Sequence, residues 1–386
     1  MGKGGSSAAA QPRERSFLAN TIQQNGDKIT KRSIREAIPA EYFVRSMTHS
    51  LAAFAWDTVM VFFALFVVHQ LNAVVPWYCA PALWLGYWMY QGLTFTGLWV
   101  LAHECGHGGF TDSRMVNDTV GFIIHSALLS PYFSWALTHA KHHHYTNHMT
   151  MGETWVPSTA NPEKKSVQAA KTTLGVWKRI IIVFLVGWYA YLITNETGAK
   201  QNKGQSHFSP ASKGLFKKKD ANYVRASNIG MLVSAIGLSY LAAHFGMFEM
   251  WRSYVVPQVI CNFYLAAITY MQHTHPDVPH FEDEQWTWLR GAISTIDRSL
   301  GPFADYKTHY IVSSHVAHHI FSEMPYYGAE KATPYIKAHL GEYYKVMIPK
   351  PYLGSTYLGF WKDFYWTMQK SVSVGGEENS EFLWFK

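Results

Sequence analysis

Eight of the 20 histidines fall in three short clusters: His103-x-x-x-His107, His139-x-x-His142-His143 and His315-x-x-His318-His319. Positions i, i+3 and i+4 share one face of a helix, so each cluster can aim two or three imidazoles at one point. At this histidine content, one H-x-x-H-H should arise by chance in about one such chain in twenty. Two of them beside an H-x-x-x-H exceed chance. Imidazole ligates iron, zinc, copper and nickel, so the pattern implies a metal without fixing the element. A catalytic zinc takes three protein ligands and keeps a position open. Eight imidazoles suit a pair of metals instead.

The first cluster also lies in Leu101-Ala-His-Glu-Cys-Gly-His107, which spells the H-E-x-x-H of zinc peptidases with Glu104 as general base. That reading needs a further ligand and a peptide groove, and it leaves the other two clusters idle. Iron suits the apolar surroundings better, because oxidising an unactivated hydrocarbon requires redox chemistry that zinc lacks. Glu104 is then expected to hydrogen-bond a ligand imidazole. His144 and His148 prolong the second cluster as H-H-H-Y-T-N-H and could orient ligands in the same way. His125, in an apolar run, reads as a core or interface residue, and His280 and His309 receive no role.

The clusters need a scaffold at a membrane. Apolar residues make up 48% of the 386 and aromatic residues 16%, against 15% charged. A mean hydropathy near zero adds substantial polar segments to those runs. The net charge of +7 fits an anionic membrane face better than nucleic acid in so aromatic a chain. Runs at about 51–68, 76–101, 229–247 and 254–271 approach the roughly 20 residues that cross a bilayer, and they pair into two hairpins. Gly121–Leu137, interrupted by Ser130-Pro131, and Ile180–Ile193, about 14 residues long, predict interfacial helices. The fold class is all-α integral membrane, with four transmembrane helices, interfacial helices and a cytosolic histidine-rich helical cap. Residues 1–32 read as a disordered cytosolic tail, 33–345 as the membrane domain and 346–386 as a cytosolic C-terminal segment. Arg32, Arg35, Arg45, Lys213, Lys217, Lys218, Lys219 and Arg225 lie outside the hairpin tips, so the positive-inside rule places both termini and all three clusters in the cytosol. The three cysteines are far apart and form no disulfide framework.

The clusters and their neighbours resemble the membrane-bound fatty-acyl desaturases, most closely the delta-12 (oleate) desaturases of plants and fungi. The likeness runs through about residues 33–345: SIREAIPAEYFVRS, LAHECGHGGF, NDTVGFIIHSALLSPYFSW into THAKHH, GETWVP, YMQHTHPDVPHF, WLRGAISTIDR and HVAHHIFSEMPYYGAEKAT stand in the family's order. It implies two non-haem iron ions that activate O2 and remove two hydrogens from an acyl chain carried on a phospholipid or on coenzyme A. The eight cluster histidines match the family's ligands, and His273, with His275 as the lesser choice, matches its additional histidine. No H-P-G-G haem motif is present, so the resemblance implies a separate cytochrome b5 with its reductase as electron donor. The aromatic end FLWFK is similar to the family's endoplasmic-reticulum retention signals. Two departures lie beside ligands: Gly108-Gly109 replace a bulkier residue and alanine, and Ser313-Ser314 replace Asp-Thr. They are therefore candidates for setting specificity. Omega-3 desaturation, hydroxylation, triple-bond formation or conjugation are the alternatives within the family, with a zinc peptidase or a non-catalytic metal- or lipid-binding protein outside it.

Overall fold

The computed structural model describes residues 29–347, 356–376 and 382–385. Residues 1–28 of the expected tail and the terminal Lys386 lie outside the described residues. The tail reading stops short of 32, because Lys31 and Arg32 already belong to α1 (Lys31–Glu36). A reciprocal pair of bonds between Thr30 and Ser33 caps this helix, and Ile34 is fully buried.

The long elements come next. They are α2 (Met47–Val74) and α3 (Ala80–His107), then α4 (Arg114–Ala127) and α5 (Tyr132–His144). After α6 (Lys165–Lys171) come α7 (Thr173–Thr194), α8 (Ala221–Phe245) and α9 (Met247–His273). Among the described residues four helices, α2, α7, α9 and α8 with its preceding turn, are long and apolar enough to cross a membrane. Exposed faces such as Val59, Phe62, Phe63 and Phe66 on α2, or Ile229, Leu232, Val233 and Ile236 on α8, present apolar side chains outward. In water so wide an apolar surface would be unstable, whereas lipid tails cover it at no cost. The chain is a membrane protein, mostly helical, as its composition implies.

The helix α7 is longer than the apolar run Ile180–Ile193, because Thr173–Arg179 continue it at the N-terminus. It therefore reaches spanning length where an interfacial helix was expected, while α3, which holds most of the expected span 76–101, is not among the four. Near its start, the Arg179 guanidinium donates to the Met368 carbonyl (2.7 Å). Near its end, Tyr191 lies 3.5 Å from the Thr138 hydroxyl. The helices α4 and α5 meet at 107°, so the run with Ser130-Pro131 is broken, as expected.

Short elements form the cap: α10 (Trp288–Ile293), α11 (Pro302–Lys307), α12 (His315–Ile320), α13 (Tyr326–Leu340) and α14 (Thr356–Lys370). A parallel pair joins β1 (Asp297–Arg298) to β2 (Val346–Met347), and an antiparallel pair joins β3 (Val374–Gly376) to β4 (Leu383–Phe385). The described part of 346–386 packs into the body of the protein. Phe360, Phe364 and Met368 join the core around α9, the buried Arg298 pairs with Asp363, and Trp384 of the aromatic end is fully buried.

The crossing of α3 by the cap depends on a missing side chain. A Cβ on Gly97 would collide with the Lys307 carbonyl and sit 3.3 Å from the Asp57 carboxylate. Backbone cannot yield as a side-chain tip can. Gly97→Ala is therefore expected to cost about 1–3 kcal/mol, the usual penalty of overpacking. The check is earlier thermal inactivation of the protein in detergent; an unchanged midpoint would contradict this packing.

Candidate metal centre

The helix α3 delivers the first pair of imidazoles and stops. Gly108 adopts φ +75°, the left-handed conformation that glycine takes without strain, and its N–H donates to the Cys105 carbonyl. His103 and His107, one turn apart, face the same side. The helix α5 brings His139, His142 and His143, α12 brings His315, His318 and His319, and His273 is the last residue of α9.

All nine imidazoles converge in two adjoining groups. One comprises His103, His107, His139, His143 and His318, with one ligand atom from each within 4.8 Å of the others. The second contains His142, His273 and His319, and His315 joins it with its Nε2 3.1 Å from that of His273. The groups touch where the His143 ring stacks on His319 at 4.2 Å. His103 and His139 approach Nε2 to Nε2 at 3.0 Å, and His143 lies 3.1 Å from both His139 and His318.

Those separations suit a metal. Ligands at right angles around an ion with bonds of about 2.1 Å lie about 3.0 Å apart, whereas tetrahedral ligands lie about 3.4 Å apart. The donors are all nitrogen, which selects transition metals over magnesium or calcium. Burial holds His315, His318 and His319 well below the ordinary histidine range, so at neutral pH they carry the free lone pair a metal needs. The buried Nε2 atoms of His107 and His319 have no hydrogen-bond partner. Such orphaned acceptors fit a site built around a cation.

Glu104 stands behind the imidazoles. Its Oε1 is 3.3 Å from Nδ1 of His103 and 3.8 Å from Nδ1 of His318, on the far side from the converging Nε2 atoms. That is the place of a group that orients imidazoles, and a peptidase base would face the metal. The other two orienting candidates do not reach the ligands. His144 is exposed against Tyr145, because five residues past His139 the helix has turned it off the ligand face. His148 is buried, but its Nδ1 accepts from the backbone of Thr150 and lies near Asp283. Thr146 reaches instead, its hydroxyl 3.1 Å from Nδ1 of His319. Asp297 accepts from the Val316 N–H (2.7 Å) and Tyr344, fixing the start of α12. Sequence reading passed over both residues. The Asp297 signal was available in the family-like stretch WLRGAISTIDR.

The four residues that depart from the family pattern shape backbone beside the site. A Cβ on Gly109 would lie 3.2 Å from Glu104 Oε2, so this glycine lets the chain pass close to the carboxylate. Ser314 precedes α12, its hydroxyl donating to the Tyr310 carbonyl (2.8 Å), and Ser313 bonds the same carbonyl more weakly. His125 stacks on Trp99 with its Nε2 3.1 Å from the Trp99 carbonyl, a core histidine as expected. His275 is buried beside Asp277, away from both groups.

An apolar cavity of about 70 Å³ borders the centre. Trp99, Trp135, Trp188, Leu265, Ile268 and Ile311 form much of its wall, and His103, His139, His142 and His315 form the side next to the metal groups. The model of the fatty acid desaturases matches residues 75–351. The chain belongs to that family. This desaturase is 38% identical to a delta(12) fatty acid desaturase of Mortierella isabellina over 87% of each chain. It is 37% identical to an omega-6 fatty acid desaturase, endoplasmic reticulum, of Brassica juncea over 81% of each. It is 35% identical to a fatty acid conjugase of Calendula officinalis over 92% of each. The desaturase is thus an oxidoreductase whose substrates are an acyl lipid and O2, and its histidine clusters are capable of holding metal.

Proposed function

We propose that the desaturase inserts a cis double bond at the delta-12 position of an oleoyl chain carried on a membrane lipid, giving linoleoyl. His103, His107, His139, His143 and His318 would hold one non-haem iron, and His142, His273, His315 and His319 a second. The observation that carries this reading is the shared wall: four of these imidazoles line the apolar cavity into which an acyl chain would lie. The relatives named delta(12) and omega-6 desaturases favour this position of the bond.

Two irons supply one-electron chemistry with O2, and the balance is one acyl CH2–CH2, O2, two electrons and two protons to CH=CH and two waters. The protein's part is placement. Adjacent CH2 groups are chemically equal, so the carbon that reacts is the one the walls hold against His103, His139, His142 and His315. Trp99, Trp135 and Trp188 confine the chain and exclude water. Thr146 holds the His319 ring through its Nδ1, and the Glu104 carboxylate lies behind Nδ1 of His103 and His318.

In this reading α2 with α3 and α8 with α9 cross the membrane as hairpins, and α7 runs along the interface. Both termini and the centre then face the cytosol, in the endoplasmic reticulum named for the Brassica relative. A separate cytochrome b5 with its reductase would deliver the electrons. The exposed Lys217, Lys218 and Lys219 offer an acidic donor a complementary surface.

Expression in a yeast that lacks polyunsaturated lipids, followed by acyl profiling, tests the assignment. Linoleate appearing at the expense of oleate is the expected outcome. The Calendula conjugase makes an altered product the second reading, and hydroxylated, acetylenic, conjugated or omega-3 products in the same profile would replace delta-12 desaturation.

A further inference from the structure

The apolar helix α2 carries a single acidic residue, Asp57, and it is buried. An ionisable group at such a depth is costly and calls for a partner. Its partners come from the end of α11 and from the loop that follows it, 250 and 252 residues further along the chain. The Lys307 ammonium lies 3.1 Å from Oδ1, and Nε2 of His309 lies 2.8 Å from Oδ2. Gly97 leaves the room for this approach.

The loop so held is bent in an unusual way. His309 and Tyr310 both adopt left-handed backbone, with φ +50° and +59°. Two consecutive non-glycine residues rarely do so, and they persist where surrounding contacts over-determine them. The reversal sets everything after it. The Tyr310 carbonyl accepts from the N–H groups of Ser313 and Ser314, and the Ser314 carbonyl accepts from His318 N–H. The Ile311 carbonyl accepts from the side chain of Gln272, the neighbour of His273 (3.1 Å). The loop therefore fixes where α12 begins relative to the end of α9, and with it the 3.1 Å approach of His315 to His273.

We propose that the Asp57–His309 contact is a positioning device for the metal group of His142, His273, His315 and His319, holding the strained 309–310 reversal so that His315 meets His273. His309 touches none of the imidazoles in that group and acts through the loop. The inference rests on the two-iron reading given above.

Two variants test it. His309→Phe removes the contact and leaves the Asp57–Lys307 ion pair that ties the loop to α2. His309→Gln keeps an amide able to donate to Asp57. Purified His309→Phe is expected to fall from about two irons per chain toward one, to lose one component of its Mössbauer spectrum and to drop turnover at least tenfold. Its accumulation in membranes should match the unmodified protein, and His309→Gln should restore most of the iron. Two irons with unmodified turnover in His309→Phe would overturn the proposal. So would failure of that variant to accumulate, or of glutamine to rescue it, because either result makes the contact general fold support. If the unmodified protein itself lacks iron, the two-iron reading falls and the loss is traced there.

Discussion

Replacing His318 with alanine is expected to lower desaturation at least about 100-fold, more than the loss of a group that merely orients a ligand. His318 belongs to the five-histidine group, its Nε2 3.1 Å from that of His143. Its removal also leaves Glu104 with His103 as its one imidazole neighbour of the pair. Iron per chain should fall with activity, while the protein level in the membrane stays near normal. His144→Ala is the matched control, because His144 sits one residue past a cluster, is exposed and should leave product formation within about twofold. Acyl profiles of the two variants in the same yeast separate the outcomes. Full activity in His318→Ala would remove the histidine clusters from the chemistry.

The contrast between those two residues marks what the sequence could convey. Clusters at i, i+3 and i+4 were legible because helix geometry alone aims them together. His273 was legible through resemblance and its place at a helix end. His144 and His148 lie beyond the point where α5 loses register with the site, and adjacency in sequence misled there. Thr146, in the same HHHYTNH stretch, reaches His319 because the chain turns after Tyr145, a local conformation that no periodicity encodes. Apolar length made α2, α8 and α9 readable, but the true start of α7 was hidden by its more polar first turns. The Asp57 contact with Lys307 and His309 joins residues 250 or more apart and had no signature at all.

The cavity is likewise assembled from several elements, and its test is steric. Ala266 lines it from α9, about 10 Å along the helix from His273 at 1.5 Å per residue. A phenyl ring there would occupy space that an eighteen-carbon chain needs, without touching an imidazole of either metal group. Overfilling a packed apolar site costs about 1–3 kcal/mol, which corresponds to about a ten- to hundredfold loss in rate on the long chain. A single methylene in an apolar pocket is worth a similar amount, so a shorter acyl chain should suffer less. Ala266→Phe is therefore expected to shift product from eighteen- toward sixteen-carbon chains while keeping its full iron content. The decisive measurement is the ratio of the two dienoic products in the same cells. An unchanged ratio at undiminished rate would mean that the acyl chain lies elsewhere. A loss of iron would mean that Ala266 supports the metal groups and not the chain. Only a change of chain length at constant metal content ties this cavity to the substrate.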